Sequence, residues 1–282
     1  MGRKKISAAI IDMNNGMPNL GIQGICDSLT AYADAASLSL TVEIFSLREL
    51  GEIPGMEYDI YISSGGPGSP YEGEGLAWEN AFFQLLEDIE LFNTAGSNTG
   101  KTFPKKYMLL ICHSFQMACR KFGVGTLLRR KSPVFGIFPV FITEEGDSDP
   151  LFTGLPNPFF CVDSRSWQVT NPDDQLFSNE KAVVLALEKE RPQADMERCV
   201  MALRFTKEIC GTQFHPEANA EGMSSYLLQE DTRNTIVNEH GLKRYEEMLI
   251  HLTHPDRISL TQQLIIPNFL AEAIDHIKQR RP

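Results

Sequence analysis

Apolar runs of strand length alternate with longer segments of helical periodicity along most of the chain. The runs predicted as strands are residues 6–11, 40–45, 58–62, 107–111 and 182–187. Apolar residues recur every three or four positions in residues 20–35 and 75–92, which predicts two helices. Alternation of this kind is typical of an α/β fold with a mostly parallel central sheet and helices on both faces.

Two regions depart from this alternation. Residues 124–169 contain β-rich runs without long helices, which predicts a small antiparallel extension beside the sheet. Residues 219–282 contain helical stretches at 224–239, 242–252 and 260–279, with Pro255 and Pro267 as breaks or kinks. We therefore expect an α/β domain at 1–218 and a helical extension at 219–282 packed on the same domain. A lid, a dimer surface or a dock for a partner are the alternative roles of this extension.

Three residues at the ends of apolar runs indicate the chemistry. Cys112 ends one run, and His215 with Glu217 two places later ends another. In an α/β domain this puts Cys112 and His215 at the same carboxyl edge of the sheet. A thiol with a pKa near 8.5 needs a base or a positive charge beside it to act as a nucleophile. His215 is the predicted base, Glu217 would orient its ring, and the backbone N–H of His113 is a candidate oxyanion donor.

The motifs around these residues resemble those of class I glutamine amidotransferases with a Cys-His-Glu triad. The family motif G-x-C-x-G-x-Q reads here with Cys112 and Gln116 in place, but Leu110 and Ser114 replace its two glycines. The family's G-x-Q-F-H-P-E is matched by residues 211–217. Residues 63–70 resemble the glycine-rich oxyanion strand. The resemblance runs from about residue 6 to 217, and the free-standing domains similar to the amidotransferase half of GMP synthase look closest.

The resemblance implies a flavodoxin-like fold and a set of substrate contacts. Gly66 would supply the second oxyanion donor beside the N–H of His113, and Gly65 and Gln116 would contact the substrate. In the family, backbone groups of the segment at 161–169 hold the α-amino and α-carboxylate groups of glutamine. Here that segment contains Arg165, Ser166 and Trp167, where relatives often have His and Asp at the first and last of these positions.

These departures bear on the substrate. A serine at position 114 adds a side chain where the helix start lies close to neighbouring strands, which predicts a reshaped pocket. Arg165 would pair with a carboxylate in a bidentate manner, and Trp167 would narrow the pocket. The side chain of His113 is expected at the rim or behind the triad. A substrate other than free glutamine therefore stays open.

A glycine-rich segment mimics a phosphate-binding loop. Residues 95–102, Ala-Gly-Ser-Asn-Thr-Gly-Lys-Thr, fit a loose P-loop pattern. A true P-loop follows a strand and opens a helix, because the helix N-terminus supplies amides to the phosphate. Here a predicted helix precedes the segment and a strand follows it, so we interpret residues 94–105 as a flexible surface loop.

Composition limits the partners. The formal net charge of −11 argues against a nucleic-acid partner. The six cysteines show no C-x-x-C pair, which predicts reduced thiols in the cytoplasm. No apolar stretch is long enough to span a bilayer. Neither a metal nor a cofactor is required by the expected chemistry.

The sequence thus predicts hydrolysis of the glutamine γ-amide through a thioester on Cys112, with ammonia released to an acceptor or to a partner synthetase subunit. One alternative is a γ-glutamyl peptide hydrolase with the same chemistry. Another is a catalytically weak regulatory or binding descendant. A homodimer is also left open, since the sequence does not determine the oligomeric state.

Overall fold

The computed structural model describes residues 5–17, 19–95, 104–170, 182–190 and 198–280. The described residues form one mixed sheet of nine strands. The strands are β1 Lys5–Asp12, β2 Ser39–Ser46, β3 Ile60–Ser63, β4 Tyr107–Ile111, β5 Thr126–Ile142, β6 Phe159–Thr170, β7 Val183–Glu188, β8 Val200–Arg204 and β9 Ile209–Thr212. The helices are α1 Gly21–Ala35, α2 Leu47–Leu50, α3 Ala77–Ala95, α4 His113–Phe122, α5 Glu144–Asp147, α6 Ala220–Leu227, α7 Glu230–His240, α8 Leu242–Leu252 and α9 Pro255–Arg280.

The strand order β2-β1-β3-β4-β9-β8-β7-β5-β6 decides where the site forms. Strands β2, β1, β3, β4 and β9 are parallel, and the remaining strands continue the same sheet in antiparallel pairs. Strand β9 pairs directly with β4, although about a hundred residues separate them in sequence. The carboxyl ends of β4 and β9 therefore lie side by side, and each leads into one of the predicted catalytic residues.

Two apolar clusters cover the two faces of the sheet. One contains Ile25 and Leu29 of α1 together with Phe269 and Ile274 of α9. The other contains residues of α3 and α4, such as Phe82 and Phe115. The predicted fold class, an α/β fold with a mostly parallel sheet and helices on both faces, is confirmed.

The observed elements differ from the predicted ones in three places. Strand β8 was not predicted. The helical stretch predicted at 224–239 is two helices, α6 and α7, which are separated by Leu228 and Gln229. Pro267 lies inside α9 and does not end it, because the buried side chains on both sides of it hold the helix against the sheet. The loop predicted at 94–105 falls largely on residues 96–103, which lie outside the described residues.

The C-terminal helices contact the α/β domain in two ways. Helix α9 is part of the main core, and Arg204 of β8 ties it to the domain by pairing with both Asp149 and Glu272. Helices α6 to α8 form a smaller cluster through Leu227, Ile236, Tyr245 and Met248, with Phe135 of β5 packed against it. Among the helices of the described part of the chain, none is long and apolar enough to cross a membrane.

Candidate active site

Cys112 occupies a tight turn between β4 and α4. Its backbone has φ 50° and ψ −98°, a left-handed conformation that a non-glycine residue rarely adopts. The turn is held by the N–H of Cys112, which donates to the carbonyl of Thr212 at the end of β9 over 2.7 Å. Strained residues of this kind cluster at functional sites, since a sharp strand-to-helix turn lifts a nucleophile above the sheet.

His215 lies between the thiol and a buried carboxylate. Its Nδ1 lies 2.8 Å from Oε1 of Glu217, and its backbone N–H donates to the carbonyl of Val162 over 2.9 Å. The imidazole also interacts electrostatically with Cys112, which acts to raise its pKa. Because Glu217 occupies Nδ1, Nε2 is the nitrogen left for the sulfur. The structure thus brings Cys112 together with His215 and Glu217, which lie about a hundred residues later in the sequence.

The electrostatics of this group favour a charged imidazole. Burial acts to lower the pKa of His215. The Glu217 carboxylate, the Cys112 sulfur and the polar contacts with both raise it by more, so the pKa lies well above its usual value. A protonated imidazole beside a sulfur favours the thiolate, which is the reactive form of cysteine.

Helix α1 fixes the position of Glu217 through its glycines. A Cβ on Gly24 would lie 2.3 Å from the carbonyl oxygen of Glu217, and one on Gly21 would lie 3.1 Å from its Oε1. The first turn of α1 therefore approaches the carboxylate closely, where the helix dipole favours a negative charge. The sequence analysis did not identify Gly24, because the close approach joins segments almost two hundred residues apart.

Gly24→Ala tests this close approach. Backbone does not yield to a Cβ at 2.3 Å, so we expect Glu217 and with it His215 to be displaced. The expected result is a loss of kcat/KM of at least about tenfold and a fall in the free energy of unfolding of about 1–3 kcal/mol. Gln23→Ala, on the exposed face of the same helix, is the control and should change neither quantity. Unchanged kinetics for Gly24→Ala would contradict the assigned positioning role.

The glycine-rich loop after β3 lies directly against the catalytic pair. A Cβ on Gly65 would lie 2.8 Å from Cε1 of His215 and 3.4 Å from Cβ of Cys112. One on Gly66 would lie 2.1 Å from the carbonyl oxygen of Met13. Neither position has room for a side chain, so glycine is required at both by close approach.

Ser114 is part of the support of this loop. Its hydroxyl donates to the carbonyl of Ser64 over 2.6 Å and lies 2.7 Å from the hydroxyl of Ser63. The side chain is fully buried. The serine that replaces the family glycine thus fits between α4 and the end of β3 by hydrogen bonding to it.

Two arginines that the sequence analysis missed hold the other end of the loop. Arg48 donates from Nη1 to the carbonyls of Met13 and Pro67, over 3.0 and 2.7 Å. Arg120 of α4 donates to the carbonyl of Pro70 and pairs with the buried Glu79. The local sequence around each arginine does not predict this contact, because each reaches the loop from a different part of the chain.

A chain of side-chain amides leads to the sulfur. Gln116 donates from Nε2 to the carbonyl of Trp167 over 3.2 Å and to Oε1 of Gln213 over 3.0 Å. Gln213 in turn donates to the sulfur of Cys112 over 3.6 Å. Gln116 was predicted to contact the substrate, and the structure places it within this network at the cavity. Gln213 was recognised as part of a motif but not as a residue that contacts the nucleophile.

The segment of β6 beside Cys112 lines the cavity with Ser164, Arg165, Ser166 and Trp167. The carbonyl of Ser164 accepts a contact from the sulfur at 3.5 Å. The side chain of Arg165 is only 1% exposed and pairs with Asp163 at 3.0 Å. Its Nε donates to Asp163 and its Nη2 lies 3.8 Å from Glu188, so the guanidinium is paired within the protein. The expected bidentate contact of Arg165 with a substrate carboxylate stays a prediction.

His113 is not at the rim. The residue is 1% exposed, and its Nε2 has no hydrogen-bond partner among the described residues. Burial, followed by the charges of Arg48 and Arg120, lowers the pKa of its imidazole from 6.5 to about 3. The side chain is therefore neutral at neutral pH, and its role lies behind the site.

This shift predicts a dependence of stability on pH. The unfolded chain binds a proton at His113 below pH 6.5, whereas the folded chain binds it only near pH 3. The contribution of the neutral, buried His113 to the free energy of unfolding is therefore present above pH 6.5 and is lost as the pH falls below it. Between pH 7 and 5 we expect wild type to lose about 2 kcal/mol more free energy of unfolding than His113→Asn. Urea unfolding at both pH values measures this, with the exposed His254→Asn as control. Equal losses in wild type and His113→Asn would contradict it.

An open cavity of about 520 Å³ surrounds the sulfur. Its described lining includes the catalytic pair, the glycine loop, β6, residues 133–135 in the middle of β5, and Tyr226, Thr235 and Ile236 of the C-terminal helices. Within the described residues, no group of three or more His, Cys, Asp or Glu side chains is arranged to hold a metal ion.

Comparisons with known proteins identify a matching family and similar folds. A sequence model of the family glutamine amidotransferase class-I matches residues 27–234. No curated protein matches the sequence significantly. A glutamine amidotransferase from Thermotoga maritima superposes with a TM-score of 0.67 at 16% identity, covering 95% of this chain and 98% of that chain.

Two further structures share the fold. A glutamine amidotransferase from Methylobacillus flagellatus has a TM-score of 0.62 at 13% identity, with 98% and 96% coverage. The glutaminase domain of Trypanosoma brucei CTPS, with bound acivicin, has a TM-score of 0.59 at 11% identity, with 97% and 94% coverage. Identities this low show the fold alone, whereas the family match extends over most of the sequence. The chain therefore belongs to the class I glutamine amidotransferase family.

Proposed function

We propose that the protein hydrolyses the γ-amide of a glutamine-type substrate through a γ-glutamyl thioester on Cys112. The observation that supports this most is the strained Cys112 turn beside a histidine that is held by a buried glutamate. Membership of the family supports glutamine hydrolysis in general. A regulatory descendant would not need this strained and charged arrangement.

In the proposed first step, the Cys112 thiolate attacks the γ-carbonyl carbon. The C=O electron pair moves to oxygen, and the N–H of His113 and the backbone of Gly66 or its neighbour Gly65 stabilise the oxyanion. The C–N bond then breaks, and the protonated His215 gives its proton to the departing nitrogen. The products are ammonia and the γ-glutamyl thioester.

In the second step, water completes the cycle. His215, now neutral, takes a proton from water as the resulting hydroxyl adds to the thioester carbon. The C–S bond breaks, glutamate is released, and the thiolate–imidazolium pair is restored. Glu217 keeps the ring in one orientation in both steps.

The fate of the ammonia is part of the proposal. We propose that the ammonia is passed to an acceptor through a partner synthetase subunit or is simply released. The C-terminal helices at 219–282 are proposed to belong to the same domain. A cytoplasmic location fits the expected reduced state of the six cysteines.

Release of glutamate and ammonia from L-glutamine by purified protein tests the proposal. Rapid quenching in acid, followed by mass spectrometry of the intact chain and its peptides, should detect one γ-glutamyl group on the peptide that contains Cys112. A partner-dependent enzyme would still form this adduct slowly. Absence of both products and adduct with any γ-glutamyl donor would favour the non-catalytic alternative and overturn the proposal.

A further inference from the structure

The catalytic cavity is larger than its chemistry requires. Attack on a primary γ-amide needs room for one amino acid, and the departing ammonia is a single small molecule. The cavity of about 520 Å³ falls within the range of roughly 300–1,000 Å³ that holds drug-sized ligands. Space is therefore available for a group attached to the amide nitrogen.

The additional lining is apolar and comes from outside the catalytic motifs. Phe135 of β5, Tyr226 of α6 and Ile236 of α7 line the cavity together with Trp167. Phe135 follows the register shift between Arg129 and Val134 in the β5–β6 pair, and irregularities of this type re-aim side chains beside sites.

The side chains of this part of the lining pack against neighbouring side chains. The rings of Phe135 and Tyr226 lie 6.4 Å apart, edge to face, and those of Trp167 and Tyr71 lie 5.4 Å apart. Ile236 is 5% exposed and belongs to the small core of α6 to α8. A preformed surface costs little ordering entropy when a ligand binds to it.

Charge selects among the groups that would fit. No Asp or Glu is among the described residues that line the cavity. Arg165, which also lines the cavity, donates from Nε to the buried Asp163. A cationic substituent would be desolvated without a partner of opposite charge, whereas an apolar one would not incur this cost.

We propose that Phe135, Trp167, Tyr226 and Ile236 form a subsite for an apolar substituent on the amide nitrogen. The substrate class is then a γ-glutamyl amide of an aliphatic or aromatic amine. This inference rests on the proposed thioester chemistry, in which the same C–N bond breaks and His215 protonates the departing amine in place of ammonia.

Affinity in the Cys112→Ala background tests the subsite separately from turnover. Calorimetry compares a γ-glutamyl anilide, γ-glutamyl lysine attached through its side-chain amine, and L-glutamine. The anilide should bind about tenfold more tightly than either, since one well-placed apolar group provides discrimination of this order. Anilide affinity no higher than that of glutamine would overturn the subsite, even if glutamine is hydrolysed by wild type.

Two substitutions locate the effect. In the same background, Tyr226→Ala and Ile236→Asp should each weaken anilide binding about tenfold and leave glutamine binding within about twofold. Tyr226 is 42% exposed, so its variant should fold even if Ile236→Asp does not. Leu228→Ala, at the exposed end of α6, is the matched control. Equal losses for anilide and glutamine, or none for either, would overturn the assignment of these residues.

If the helices instead form a dock for a partner protein, the anilide will show no preference over glutamine. Failure of the proposed function has a different signature, because wild type would then release no glutamate and form no adduct on Cys112 with any donor. The two experiments therefore distinguish a wrong substrate class from a wrong mechanism.

Discussion

Cys112→Ala should reduce glutamate release from glutamine or a γ-glutamyl amide by about 10⁴-fold or more. Loss of the nucleophile removes the covalent route, and the remaining oxyanion donors and binding contacts supply only a small residual rate. Initial rates of glutamate formation, measured side by side for wild type and variant, give the ratio. The free energy of unfolding should change little. Alanine, like cysteine, has a Cβ and therefore keeps most of the backbone strain of the turn.

Cys26→Ser is the matched control for this experiment. Cys26 is a half-buried thiol on α1 that lies outside the cavity lining, and burial followed by the charge of Asp27 raises its pKa. We expect this variant to retain wild-type rates. A Cys112→Ala variant that keeps more than about a tenth of the wild-type rate would show that another group attacks the amide, and the thioester mechanism would be abandoned.

Glu217→Gln should have the second largest effect, a fall in kcat of about 10²–10⁴-fold. The amide keeps the size of the side chain but removes the charge that orients His215 and stabilises its protonated form. Burial lowers the pKa of His215, while Glu217 and then Cys112 raise it to a net value well above 6.5. Without the carboxylate the imidazolium loses its proton at lower pH.

The pH profile separates this electrostatic role from a purely structural one. Since the departing amine takes its proton from His215, kcat/KM should decline on the alkaline side as His215 is deprotonated. In Glu217→Gln this alkaline limb should move to lower pH. Glu221→Gln, an exposed carboxylate in the first turn of α6, should move neither the limb nor kcat. A lower rate with an unmoved limb would mean that Glu217 only supports the fold of the segment.

Local sequence patterns identified much of the catalytic machinery. Cys112 and His215 end buried strands, and this is visible from apolar runs that stop at reactive residues. The same pattern placed Glu217 two positions after His215 as its partner, and the resemblance to a known family supplied the glycines at 65 and 66. Geometry in the structure brings all five together, and their roles are tested by the experiments above.

Other features depended on contacts between distant segments. Arg165 pairs with Asp163 two residues away on the same strand, and its guanidinium also contacts Met201 of β8 and lies 3.8 Å from Glu188 of β7, contacts that the local sequence does not show. The support that Arg48 and Arg120 give the glycine loop, and the close approach of Gly24 to Glu217, join positions far apart in the chain.

The sequence by itself determined the alternation of strands and helices, the class of fold and the identities of the reactive residues, since these follow from periodicity, residue type and order along the chain. Only the tertiary structure decided that β9 lies beside β4, that Pro267 sits inside a continuous helix and that α6 and α7 line the cavity. The reason is physical. Strand neighbours, a helix held by packing and the walls of a cavity depend on burial against partners elsewhere in the chain, and no local preference encodes those partners.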